Sequence, residues 1–177
     1  MTATEHTLTP AGEEIHDRMV RHGRNHSPGI LVDAILDGYA PEEDIPWLTS
    51  HAWTMCEYPA RAEDSLTWWA LFNRIGYRNA NGQPLDRPEM LTLYRGASIR
   101  EHESGQFGMS WTTSREKAVW FASRYEFEAD TVVYRCDVPG FALFADYRDA
   151  ERKEDEIVVN AEYVTPGMVT IEQGAAS

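Results

Sequence analysis

Two acidic side chains separated by one residue, Glu154 and Glu156, open the apolar run Ile157-Val158-Val159. In an extended strand, residues two apart share a face, so the two carboxylates are expected to look the same way with Cα atoms about 6 to 7 Å apart. Ile157 and Val159 would then bury on the opposite side with Asp155. Two anions on an anchored strand suit cleavage of a glycosidic bond, because the oxocarbenium-like transition state gains positive charge that a fixed carboxylate stabilises. The competing reading is a solvated acidic turn, which the charged Glu151-Arg152-Lys153 just before the pair favours. Upstream, Leu91-Thr92-Leu93-Tyr94-Arg95-Gly96 reads as a strand ending in a planar, permanently charged guanidinium. That fork suits a phosphate, with a surface salt bridge as the plainer alternative. Between the two, Ser110-Trp111-Thr112-Thr113-Ser114 sets hydroxyls at a strand end, where they either orient a ligand or cap a helix.

In this order and spacing the three pieces resemble the ADP-ribosyltransferase family, in its arginine, serine, Glu-x-Glu class, over roughly residues 88–173. The resemblance implies an enzyme that cleaves NAD at the nicotinamide–ribose bond and transfers ADP-ribose to a protein acceptor, with NAD consumed as a substrate and no metal. It implies that Glu156 is the catalytic glutamate that hydrogen-bonds the nicotinamide ribose, and that Glu154 serves an arginine acceptor. A guanidinium is barely deprotonated in water, so a nearby carboxylate has a chemical purpose there. It further implies that Arg95 binds a phosphate of NAD and that Gly96 lets the backbone approach the nicotinamide amide. The usual Ser-Thr-Ser reads imperfectly in this chain. Ser110 is favoured as the serine that orients the glutamate, with Thr112 facing the same way, and a register beginning at Thr112 and Ser114 is the alternative. Trp111, Trp120 and Phe121 are candidates for the aromatic side chain that sandwiches nicotinamide. An NAD glycohydrolase and a catalytically silent nucleotide- or protein-binding module are the rival readings.

These residues need elements to hold them. Thr113 and Glu116 have capping-box spacing, which predicts a helix starting near Ser114, and Ala118, Phe121, Ala122 and Tyr125 form its apolar face. Residues 131–138 alternate as a strand, with Val132, Tyr134, Cys136 and Val138 on one face. Further strands are expected at 141–145, 154–160 and 168–172. The first half reads as helices: from Pro10 to a stop at Gly23, from Pro28 to Gly38, a stretch resuming near Trp47, and 63–75. The last is expected to be buried on most sides, with Leu66, Trp69, Ala70 and Asn73 on one side and Trp68, Leu71, Phe72 and Ile75 widening the apolar arc. Trp47, Trp53, Trp68 and Trp69 could stack an adenine, although a helical core is the reading preferred. Helices first and strands after predict an α+β fold: a polar, frayed lead-in at 1–9, a helical region at 10–87, and a core at 88–173 of two small, mainly antiparallel sheets around an NAD cleft.

Composition bounds the rest. With 42% hydrophobic residues the chain can build a real core, and its formal charge of −13 repels phosphate backbones, which argues against double-stranded nucleic acid as a partner. No apolar run reaches the roughly 20 residues that span a bilayer. The opening MTATEHTLTPAGEE has no basic stretch followed by an apolar one, so a cytoplasmic protein without a secretory leader is expected. Two cysteines without CxxC spacing are expected as reduced thiols, and Gly23 between His22 and His26 argues against a helical metal pair.

Overall fold

The computed structural model describes residues 6–124, 130–150 and 155–172. They fall into two compact units: the chain up to Leu85 with Asp149 and Ala150, and Asp86–Arg148 with the residues from Asp155 on.

The first unit is helical. Its elements are α1 (Pro10–His22), α2 (Ser27–Leu36), α3 (Ile45–Met55), the single turn α4 (Pro59–Ala62), α5 (Ser65–Ile75) and the two-residue β1 (Arg78–Asn79). Prolines sit in the first turn of α1 to α4, where a missing N–H costs nothing. Ile15, Met19, Leu31, Leu48, Ala52, Trp68 and Phe72 are fully buried. Trp53, Trp68 and Phe72 meet within this core at ring separations of 4.8 to 5.8 Å. Two expectations change here. On α5, Leu66, Trp69, Ala70 and Asn73 face solvent, because the core takes Trp68, Leu71, Phe72 and Ile75. The frayed lead-in ends early, since the Thr9 amide and hydroxyl both donate to the buried carboxylate of Asp44, and His6 Nε2 lies 3.2 Å from it. Residues 1–5 lie outside the described residues.

The second unit holds β2 (Met90–Ser98), α6 (Arg100–Ser104), β3 (Ser110–Thr112), α7 (Arg115–Arg124), β4 (Thr131–Pro139), β5 (Leu143–Tyr147), β6 (Glu156–Val159) and β7 (Val169–Glu172). Its six strands run in the order β5-β6-β3-β2-β4-β7, each antiparallel to its neighbours. The α+β class is therefore present, but the strands make one sheet where two were expected. The reason is β3, which pairs with β6 on one side and, through Tyr94 and Thr112, with β2 on the other. That seam is narrow, whereas β2 and β4 pair along their whole length, from Met90–Pro139 to Ser98–Thr131.

One face of the sheet buries Leu93, Trp111, Tyr134, Cys136, Val138 and Ile157. On the other, α7 packs Ala118 and Ala122 against Val133, with Tyr94 and Val119 beside them. Gly96 permits this approach: a Cβ there would lie 1.9 Å from the Ala118 carbonyl oxygen and 2.5 Å from the Ala122 nitrogen. The helix start is one residue later than the capping box predicts. Ser114 Oγ accepts the Lys117 amide at 3.3 Å and its carbonyl takes the Ala118 amide, so Ser114 caps α7 in place of Thr113. Tyr125, expected on the apolar face, lies outside the described residues. Phe141, expected in a strand, lies instead in a 3-10 turn and is exposed.

Candidate functional site

The pairing of β3 with β6 builds the site. Ser110 stands opposite Val158, Trp111 opposite Ile157 and Thr112 opposite Glu156. Alternation therefore puts Ser110, Thr112 and Glu156 on one face, while Trp111 and Ile157 anchor the two strands from the other. Trp111 is 2% exposed, Ile157 is fully buried, and the indole N–H donates to the Gly108 carbonyl at 2.9 Å. On this base the Ser110 hydroxyl donates to Glu156 Oε1 at 2.5 Å. Both side chains are half-buried. Of the two registers considered, Ser110 is the hydroxyl bonded to Glu156. Thr112 is buried and its Oγ1 accepts the Ser114 amide at 3.1 Å, which shapes the turn into α7.

Glu154 lies outside the described residues. Of the residues beside it, Asp155 has a left-handed φ of 50°, and β6 begins at Glu156. Asp155 instead turns to α7, where its carboxylate pairs with Lys117 Nζ at 2.6 Å. An aspartate tolerates this backbone better than most side chains.

Arg95 meets the site from elsewhere than expected. Tyr94 is the residue paired with Thr112, so Arg95 projects from the opposite face of β2, next to Tyr134. Its Nε and Nη2 donate to the two oxygens of Glu101 at 2.8 and 2.6 Å, and its Nη1 to the Ser110 carbonyl at 2.8 Å. The planar fork is thus matched by a carboxylate of this chain. Gly96 serves helix packing, as described above. Gly108 has a similar duty, because a Cβ there would lie 2.2 Å from Arg95 Nη2.

Of the aromatic candidates, Trp111 belongs to the buried face. Trp120 is exposed, with the Arg124 guanidinium 4.7 Å above its ring, and Phe121 packs edge-on against it at 5.0 Å. The sequence reading passed over Glu101 and its helix α6; the acidic residues Glu101 and Glu103 followed by Gly105 were the available signal, and Gly105 ends the helix in the left-handed region. It also passed over Tyr94 and Lys117. Neither cysteine is disulfide-bonded, both are buried, and burial above all pushes the Cys136 thiol up to about 11, far from a nucleophile's range. Among the described residues no helix is long and apolar enough to cross a membrane. Comparison of the chain with protein families, with curated proteins and with solved structures finds no match.

Proposed function

We propose that the chain is a mono-ADP-ribosyltransferase that cleaves NAD and passes ADP-ribose to a protein acceptor, with arginine as the acceptor side chain. The observation that carries this reading is the 2.5 Å hydrogen bond from Ser110 to Glu156 at the head of a buried strand. A carboxylate so held keeps its charge in one place, and a fixed anion stabilises a developing ribosyl cation without reorganising at the moment of reaction. In this mechanism Glu156 holds the ribose hydroxyl and faces the anomeric carbon. The bond to nicotinamide breaks with its electron pair leaving on the pyridine nitrogen, and the acceptor nitrogen attacks from the far side, giving up its proton to a carboxylate acting as base. Ser110 orients Glu156, and Thr112 fixes the turn beneath them. Glu154 has its acceptor role from the resemblance alone.

The test is to incubate the full chain with NAD labelled in the adenylate part, alone and with cell lysate. Label on protein supports transfer. Soluble ADP-ribose without labelled protein would make the chain a glycohydrolase, and neither product would leave a binding module and overturn the reading.

A further inference from the structure

We propose that Glu101, on α6, is a positioning residue for the Ser110–Glu156 pair, acting through Arg95; this rests on the catalytic reading of that pair. The Glu101 carboxylate accepts from Arg95 Nε and Nη2 at 2.8 and 2.6 Å, and its Oε2 also accepts the Gly108 amide at 3.2 Å. The same guanidinium donates Nη1 to the Ser110 carbonyl at 2.8 Å. One ion pair therefore grips the main chain at two points, Gly108 and Ser110, on either side of Met109 at the entrance to β3. Gly108 brings no side chain into the gap, and the guanidinium fills the space its Cβ would take.

The clamp itself stands on a buried support. Tyr134, fully buried, accepts the His102 amide at 3.3 Å and donates to the Ser98 carbonyl at 2.7 Å, which ties α6 to the end of β2. The ion pair is about one-fifth exposed on each side, so solvent screens it less than a surface pair. The direction of Ser110 Oγ follows from the Ser110 backbone, and that backbone is what the clamp holds. Loosening it moves the hydroxyl off Glu156, and misplacement of a catalytic group by an ångström costs roughly a hundredfold in rate. A different role, in which Glu101 merely occupies Arg95 until a cofactor phosphate displaces it, would leave the Gly108 amide contact without purpose.

The experiment compares the wild-type full chain with Glu101→Gln, which keeps an acceptor oxygen, and Glu101→Ala, which keeps none. Amide hydrogen exchange is read over residues 108–112, with β4 as the internal measure of an intact fold, and NAD cleavage is read as kcat and KM. Protection at 108–112 is expected to fall in the order wild type, Gln, Ala while β4 holds. In step, kcat is expected to fall roughly ten- to hundredfold for Glu101→Ala with KM within about twofold. Should β4 lose protection in Glu101→Ala, the Gln variant alone carries the comparison. Unchanged exchange at 108–112 overturns the proposal whether or not the protein cleaves NAD. A lowered KM with kcat retained also overturns it, because Glu101 would then be competing with the cofactor for Arg95. Loss of protection in a chain whose wild type cleaves no NAD leaves the clamp on Ser110 standing and removes the catalytic reading instead.

Discussion

A carboxylate stabilises a nascent cation only if its own position is settled beforehand, and at Glu156 the Ser110 hydroxyl contributes to that. The Ser110–Glu156 bond is charge-assisted and half shielded from water, the setting in which a hydrogen bond contributes about 1.5 to 3 kcal/mol. Ser110→Ala is accordingly expected to slow NAD cleavage roughly ten- to hundredfold, the equivalent of that energy in rate. Glu156→Gln removes the anion while keeping its size, and is expected to cost about 100- to 1,000-fold. Nicotinamide release checks both, and thermal melts show that each variant is folded, with Ser110→Ala expected to lose about 1.5 to 3 kcal/mol of stability with its hydrogen bond and Glu156→Gln less. Wild-type turnover in a folded Glu156→Gln protein would remove Glu156 from the chemistry. Glu154 has its own measurement: Glu154→Gln should lose transfer to arginine while still releasing nicotinamide to water.

The elements around the pair are joined by close contacts, and these give sharper tests of the architecture than the apolar core does. The carbonyl of Ala118 and the amide of Ala122 lie where a side chain at position 96 would begin. Gly96→Ala must therefore push α7 off β2, and is expected to destabilise the protein by about 1 to 3 kcal/mol, as overpacking does. Denaturant melts would show it, and an unchanged midpoint would mean that the helix does not sit where Gly96 puts it. The helix start allows a paired comparison: Ser114→Ala should cost about 1 kcal/mol by loss of the cap, and Thr113→Ala less than about 0.5. The same details show how far the sequence can be read. The strands and most helices were legible because alternation and 3.6-residue spacing follow directly from which side is buried. The cap was misplaced by one residue because Thr113-x-x-Glu116 and Ser114-x-x-Lys117 overlap. What separates them is tertiary, namely the Thr112 hydroxyl on the Ser114 amide and Lys117 paired with Asp155. Helix α6 escaped because five polar residues carry no apolar period, and with it went the partner of Arg95. Ser110 and Glu156, both named from the sequence, share a hydrogen bond, whereas for Arg95 the sequence leaves a phosphate-binding fork and a salt bridge both open, because it does not say what a guanidinium already holds.

For the molecule as a whole, acid is the condition that separates its titrating groups by sign. His51, on α3, stacks on Trp47 at 4.7 Å and meets the His16 ring edge-on at 4.6 Å. Burial first, and the charge of His16 second, lower its folded pKa from the ordinary 6.5 to about 4. The unfolded chain thus binds a proton near pH 6.5 that the folded chain refuses until about pH 4, so stability is full above that window and falls as pH drops through it. Two neighbouring carboxylates on the helical side behave differently. Burial, then Asp64 and Asp33, hold Glu63 above its usual range, so its contribution rises as pH falls and opposes that of His51. The Thr67 amide bonded to Asp64 holds that carboxyl below its usual value, and its contribution is lost only under stronger acid. Comparing wild type with His51→Gln cancels both. The melting temperature of the wild type is expected to fall more steeply between pH 6.5 and 4 than that of His51→Gln, with the two curves parallel above pH 7. Thermal melts followed by tryptophan fluorescence across that range would measure it, since Trp53 and Trp68 lie in the same helical core. Parallel curves through the whole range would show that the imidazole takes its proton as easily in the folded chain as in the unfolded one, and that the half-buried ring pair at His16 and His51 does not set the acid limit of this protein.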